Sequence, residues 1–301
     1  MRVFLTGATG WIGSAILPEL LKAGHTVLGL ARSDESAAKL KALGVDVQRG
    51  DITDIDSMVA GAKACDGVIH TAFIHDWSDF MGNVEKDRAV VAAMIAAIEG
   101  TGKPFINSSG TLMVQHAKPA TEKDSAASPD APRVPSANIV ITAKGVRGSV
   151  VRLPPTVHGA GDHGFMSRLV DIARTKGFAA YVGDGANRWP AVHRSDATRV
   201  YALALEKAAP GTYLHAVAEE GVSIRSVAEA IGAGLGVPVR SLTQEEAPAY
   251  FDFLAMFIGA DNLTSSAITR QTLGWTPTGL ALLPDIRDNY CRAEATVSKY
   301  S

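Results

Sequence analysis

The stretch that most constrains the fold is the first one. An apolar, β-prone run from Met1 to Thr6 passes at once into Gly7-Ala8-Thr9-Gly10-Trp11-Ile12-Gly13 and then into an amphipathic segment from Ser14 to Ala23. This is G-x-x-G-x-x-G between a strand and a helix. Glycines placed this way let the chain turn tightly and let backbone approach a pyrophosphate with no side chain between. The helix N-terminus then offers unpaired N–H groups to phosphate. A β-branched residue at Gly10 is expected to fill the phosphate space and to resist a positive φ there. The next strand, Thr26 to Leu30, ends in Ala31-Arg32-Ser33. An acidic residue would take a ribose 2′-hydroxyl at that point, whereas Arg32 beside the Ser33 hydroxyl offers donors to a 2′-phosphate. The cofactor expected is therefore NADP(H) rather than NAD.

The 301 residues are 47% apolar and 20% charged, which supports a large core and room for a nucleotide domain with a smaller appendage. A net charge of −2 gives no general reason to expect a nucleic acid or an anionic membrane as partner. Cys65 and Cys291 lie far apart with no metal-type spacing, so no metal is expected. The chain enters a core strand directly and carries no long uncharged apolar stretch, so a cytoplasmic location is expected.

Strands and helices then alternate as in an α/β protein with a doubly wound parallel sheet, the Rossmann arrangement. Helices are read at Glu35 to Leu43, Asp54 to Gly61, Val84 to Glu99 and Ala137 to Lys144, and strands at Val45 to Arg49, Gly67 to Thr71, Pro104 to Ser108 and Ser149 to Leu153. Lys118 to Pro135, rich in Pro, Ala, Ser and charge, reads as a surface loop. Pro154-Pro155 interrupts the rhythm, and shorter elements follow. Helices are expected at Phe165 to Thr175, Asp196 to Lys207, Ser223 to Leu235, Gln244 to Ile258 and Ser265 to Leu273, with strands at Trp189 to Val192 and Thr212 to Ala216. The expected organisation is a dinucleotide-binding domain over 1–153, to which 194–216 returns, and a smaller C-terminal substrate-side lobe over 154–193 and 217–301. Ligands in such sheets bind where the strands' carboxyl ends open a crevice.

Several motifs together resemble the extended and atypical short-chain dehydrogenase/reductases of the NAD(P)-dependent epimerase/dehydratase type. They are Thr6 to Gly13, Arg32, Gly50-Asp51-Ile52, His70-Thr71-Ala72-Phe73, Asn107-Ser108-Ser109-Gly110-Thr111 and Val151 to Gly159. The resemblance implies that Asp51 bonds the adenine amine, that Ile52 packs on the ring, and that Thr71, Ala72, Phe73, Ser108 and Pro154 border the cofactor. It also places Ser109 at the position of the catalytic hydroxyl.

The family's central pair is missing. Relatives place a Tyr about twenty-five residues after that Ser and a Lys about one helical turn later, the Tyr exchanging the substrate oxygen's proton. The corresponding stretch here holds Arg133 and Ala137; Lys144 is preceded one turn earlier by Val140, and no Tyr precedes Tyr181. Candidates to replace it are Ser109, Thr111, His75, His158 and, from the second lobe, Tyr181. For each the plainer role is structural, since Ser and Thr after a strand often satisfy backbone and a lone His is more often packed than catalytic. Arg133 can anchor an anion, although an Arg in a Pro-rich loop is more often solvated.

The apolar run Tyr250 to Phe257, with Trp77, Phe80 and Met81, is core by default; lying over the crevice it would make a lid and favour an apolar carbonyl substrate. No basic cluster for a diphosphate substrate is evident, although Arg168, Arg188 and Arg194 can be gathered by folding. The reading is an NADP-dependent carbonyl reductase or alcohol dehydrogenase acting on a small-molecule ketone or aldehyde, as a monomer or homodimer. The alternatives are a catalytically weak NADP-binding redox sensor or interaction protein and, weakened most by the missing Tyr, a sugar-nucleotide epimerase or dehydratase.

Overall fold

The computed structural model describes residues 1–114 and 119–292, so Lys118, the first residue of the expected surface loop, lies outside the described residues. In chain order the first part comprises β1 (Arg2–Thr6), α1 (Gly13–Lys22), β2 (Thr26–Ala31), α2 (Asp34–Ala42), β3 (Asp46–Arg49), α3 (Ile55–Ala64), β4 (Gly67–His70), α4 (Phe80–Ile98), β5 (Pro104–Gly110), α5 (Val134–Ile141) and β6 (Arg147–Leu153). The second part comprises β7 (Thr156–His158), α6 (Phe165–Lys176), β8 (Ala179–Val182), β9 (Arg188–His193), α7 (Arg194–Lys207), β10 (Thr212–His215), β11 (Glu219–Ser223), α8 (Ile224–Leu235), β12 (Val239–Leu242), α9 (Ala247–Phe251), α10 (Ala255–Ile258), α11 (Ala267–Leu273) and α12 (Leu282–Asp285).

Seven parallel strands in the order β10-β6-β5-β4-β1-β2-β3 form the central sheet. Such a sheet is covered on both faces, so inner strands such as β1 and β4 are almost wholly buried, whereas the edge strand β3 is polar and partly exposed. One face packs on α1 and α7 through Ile16, Leu17, Leu20, Val200 and Tyr201. The other packs on α3, α4 and α5 through Met58, Val90, Val91, Met94, Ala137 and Val140. Local chemistry sets several boundaries: Ser33, Asp54 and Ser223 accept from the N–H groups three residues on and cap α2, α3 and α8. Pro135 sits in the first turn of α5, where its missing N–H costs nothing, so that helix starts earlier than expected.

The outer lobe has its own core, in which Trp189, Phe251, Leu254 and Ile258 are almost completely buried. Its small sheets, β11-β9-β7 and β12-β8, use strands of three to six residues, too short to leave a periodic signal. The expected helix Gln244 to Ile258 is broken: Asp252 takes a left-handed φ of 54° between α9 and α10. The break lets Phe251, Leu254 and Ile258 enter the lobe's core while Phe253 and Phe257 pack on Phe165 of α6. No helix among the described residues is long and apolar enough to cross a membrane.

Candidate functional site

The turn after β1 is built around three glycines with different jobs. Gly7 holds a φ of 66°, and a Cβ there would stand 2.8 Å from both the Ala72 nitrogen and Thr71 Oγ1. Gly13 packs α1 onto the turn, since a Cβ would lie 2.0 Å from the Gly7 carbonyl oxygen. Gly10 is exposed, and a Cβ would meet only the Gly7 carbonyl oxygen, at 3.2 Å. The positive φ expected at Gly10 thus belongs to Gly7, because the turn reverses one residue after β1 and Gly10 already donates its N–H back to the Gly7 carbonyl at 2.9 Å. Beyond Thr9, itself exposed, no described hydrogen bond engages the N–H groups of Trp11, Ile12 or Gly13. Arg194 braces this turn from α7: Nε donates to the Trp11 carbonyl and Nη2 to Ser14 Oγ, both at 2.7 Å, with the guanidinium 4.0 Å over the Trp11 ring. Arg168 and Arg188 do not join it; Arg168 lies over Phe253, and Arg188 pairs with Asp261.

At the β2 end, Arg32 projects with 80% of its side chain exposed, its Nε 3.9 Å from Asp51 Oδ2. Asp51 Oδ1 meanwhile accepts from the Thr53 N–H and hydroxyl. Ser33 spends its hydroxyl on capping, accepting from Ser36 N–H and donating to Ser36 Oγ, which leaves Arg32 as the freer donor at this end. Ile52 is buried in the core beside Leu30.

The other end of the crevice is formed after β4 and β5. Thr6 Oγ1 accepts from the N–H groups of Thr71 and Ala72, and Thr71 Oγ1 donates to the Thr6 carbonyl, which fixes the start of the Thr71-Ala72-Phe73 segment. Ser108 faces α7, donating to the His70 carbonyl and bonding the Tyr201 hydroxyl. Strand alternation turns Ser109, like Phe105 and Asn107, toward α4 and α5. Ser109 is half-buried there, and the buried amide of Asn107 has no hydrogen-bond partner among the described residues.

Arg133, one residue before α5, comes in over this point rather than into solvent. Its backbone takes a left-handed φ of 69°, its Nη2 donates to the Ser108 carbonyl at 2.8 Å, and its guanidinium lies 4.3 Å over the Phe73 ring. Asp87 of α4, fully buried, stands 3.6 Å from Arg133 Nε. Burial would raise the Asp87 pKa, but the Arg133 charge, His70 Nε2 at 3.3 Å and the Ser136 hydroxyl at 2.7 Å hold it down to about 2. His75 is exposed and edge-on to Phe73, and desolvation, then Arg133 and His163, draw its pKa below the ordinary imidazole value.

Three other candidates are placed elsewhere. Thr111 is fully buried and donates to Asn262 Oδ1 at 2.6 Å, tying the end of β5 to the segment before α11. His158, also fully buried, binds Asp285 Oδ2 through Nδ1 at 2.6 Å and rests edge-on against His193, inside the outer lobe. Tyr181 lies on β8 beneath Arg225, opposite Ser241 of β12, away from the ends of the central strands. Pro154 is buried at the end of β6, and Lys144 is exposed just before β6 begins, at the opposite end of the sheet.

A glycine turn after the first strand, a polar end beside β5 and the seven-stranded parallel sheet agree with the sequence model of the NAD dependent epimerase/dehydratase family, which matches residues 3–216. The chain belongs to that family. An uncharacterized protein of Schizosaccharomyces pombe is 47% identical over 289 residues, covering 95% of this chain and 98% of its own. The 2-alkyl-3-oxoalkanoate reductase of Stenotrophomonas maltophilia is 29% identical over 226 residues, 70% of this chain and 67% of its own. Among solved structures, Thermus thermophilus UDP-glucose 4-epimerase with NAD superposes at a TM-score of 0.74 with 19% identity, covering 96% of this chain and 98% of its own, which is a likeness of fold. Membership makes the chain an NAD(P)-dependent enzyme of the short-chain dehydrogenase/reductase group.

Proposed function

We propose that the protein is an NADPH-dependent reductase or dehydrogenase that interconverts a ketone or aldehyde with its alcohol. The arrangement that supports this reading is the carboxyl end of β5, where strand alternation puts Ser109 on the face that carries α4 and α5, and where Arg133, stacked on Phe73, bonds the Ser108 carbonyl. The first turn fits a dinucleotide: Gly10 leaves space where a Cβ would intrude, and the N–H groups after it are unspent. Arg32 would take a 2′-phosphate, which favours NADPH over NADH. When bound, the reduced nicotinamide supplies a hydride to the carbonyl carbon. Ser109 hydrogen-bonds the carbonyl oxygen, steadies the charge that develops on it and passes it the proton that completes the alcohol, which solvent replaces. Phe73 and Phe80, in edge-to-face contact, and Ile74 give this end an apolar wall, and His163, just before α6, stands edge-on to Trp11 of the first turn. The reductase relative named above acts on an oxo compound, in keeping with this chemistry.

The test is NADPH oxidation, followed by absorbance, against a panel of ketones and aldehydes, with NADH in parallel. Turnover preferring NADPH supports the reading. Tight NADPH binding with no turnover of any carbonyl points instead to a sensor.

A further inference from the structure

The Arg133 guanidinium is the one charged group held at the inner end of the crevice whose described contacts leave part of its donor set unspent. Nη2 gives one hydrogen to the Ser108 carbonyl, no described hydrogen bond engages Nη1, and only 15% of the side chain is exposed. Its nearest carboxylate is already committed, since Asp87 Oδ1 takes His70 and Oδ2 takes Ser136, and Nε at 3.6 Å is beyond hydrogen-bond reach. The fork is also held still, by the Phe73 ring below it and by a backbone conformation that a non-glycine residue rarely adopts. Strain of that kind, kept beside a strand end where ligands bind, is characteristic of a functional position.

A planar fork with one face on an aromatic ring and one edge toward a crevice matches a carboxylate, which accepts two parallel N–H bonds. A neutral substrate would leave those half-desolvated donors poorly paired. Position supports the same reading. The fork bonds the backbone carbonyl of the residue before Ser109, and strand alternation puts Ser109 on the sheet face that carries α5, the helix Arg133 precedes. Donors on such neighbouring positions suit a carbonyl and a carboxylate within one small molecule.

We infer that Arg133 is the anchor for a substrate carboxylate, and that the crevice takes a short 2- or 3-oxo acid with its carbonyl at Ser109 and its carboxylate on the Arg133 fork. The fate of the carbonyl rests on the reduction reading given above; the binding of the carboxylate does not.

The experiment has two arms on the full-length protein. In the first, malonate, which has the carboxylates and no reducible carbonyl, is titrated by calorimetry with and without NADPH. Wild type is expected to bind it saturably, and Arg133→Gln and Arg133→Lys to weaken it about ten- to a hundredfold, the loss of a charge-assisted bidentate contact. Arg133→Lys keeps a cation opposite Asp87 and guards against a merely misfolded Gln variant, with circular dichroism as the check. No saturable binding in either condition, or equal affinity in all three proteins, overturns the inference. In the second arm NADPH oxidation is compared for acetoacetate and methyl acetoacetate. Wild type is expected to favour the acid in kcat/KM, and the acid-to-ester ratio to fall ten- to a hundredfold in Arg133→Gln. Equal use of acid and ester by wild type removes the anchor and leaves the reduction reading intact. Malonate binding that depends on Arg133, with neither compound reduced, keeps the anchor and removes the reduction.

Discussion

Replacing Gly10 and Gly13 separately by Ala should split cofactor binding from folding, although the two glycines belong to one motif. At Gly13 the added methyl would stand 2.0 Å from the Gly7 carbonyl oxygen, 2.7 Å from the Gly7 carbonyl carbon and 3.0 Å from Ala8 Cα. All three are backbone atoms, so the turn itself must open. Overpacking of that kind costs about 3 kcal/mol, which for a chain of this size lowers Tm by roughly 5 °C. At Gly10 the methyl meets only the Gly7 carbonyl oxygen at 3.2 Å, and the backbone needs no positive φ. A shift of a few tenths of an ångström relieves it, at a cost below about 1 kcal/mol. On the proposed function, however, that methyl enters the space the phosphate would take. Losing one charge-assisted contact to phosphate there removes about 1.5–3 kcal/mol, or roughly ten- to a hundredfold in NADPH affinity; Val in place of Ala should remove binding altogether. Thermal melting by circular dichroism and NADPH titration by fluorescence give the two readouts. Undiminished NADPH affinity in Gly10→Ala, or a Tm loss as large as that of Gly13→Ala, would refute the division of labour.

Three further outcomes are expected. Arg32→Ala should weaken NADPH by about tenfold and leave NADH unchanged, since the side chain is largely solvated and its one charged neighbour is Asp51 at 3.9 Å; an equal loss for both cofactors would remove Arg32 from that role. Thr111→Val should cost about 1 kcal/mol by removing the hydroxyl that donates to the buried Asn262 Oδ1, while NADPH affinity stays the same; the urea midpoint measures it, and an unchanged midpoint contradicts it. Stability should also fall between pH 6.5 and pH 4 through His215. Burial, opposed by Glu122 and aided by Arg152, lowers its pKa from 6.5 to about 4. The neutral ring is the one that fits, with Nδ1–H donating to the Ser265 carbonyl and Nε2 accepting from Arg152. The unfolded chain takes up the proton below pH 6.5 and the folded one does not until about pH 4. This stabilisation is therefore complete above 6.5 and lost on acidification, by about 3 kcal/mol. Denaturation midpoints that stay flat across the window would contradict it.

What could be read from the residues was what local chemistry determines. The glycine turn, the caps on α2 and α3 and the apolar stripe of α4 are each fixed by neighbours within a few positions, and the parallel sheet follows from their alternation. The outer lobe was harder, because β7 and β8 are short and Asp252 breaks an otherwise helical pattern with a left-handed residue that sequence does not flag. Arg133 shows the same limit at the site. Its Pro-rich surroundings suggest a solvated side chain, but it reaches the Ser108 carbonyl across 25 positions and Asp87 across a different helix. Its spacing after Ser109, where the resemblance implies a Tyr, was the available signal. His158 fails as an exposed donor for a similar reason, since the Asp285 that buries and orients it lies 127 positions away. Asp87 had no signal at all, being one charge on an amphipathic helix until His70, Ser136 and Arg133 are folded around it.

Transfer of label from the cofactor is the most direct measurement of the proposed chemistry. NADPH carrying deuterium at the transferable C4 position is mixed with protein and an activated ketone or oxo acid, and the product alcohol is examined by mass spectrometry for wild type and Ser109→Ala. The expected result is one deuteron on the former carbonyl carbon with wild type, and turnover lower by about two to three orders of magnitude in Ser109→Ala, the effect of removing one preorganised donor, with NADPH affinity intact. Absence of label in any product, or wild-type turnover by Ser109→Ala, would contradict hydride transfer at the end of β5.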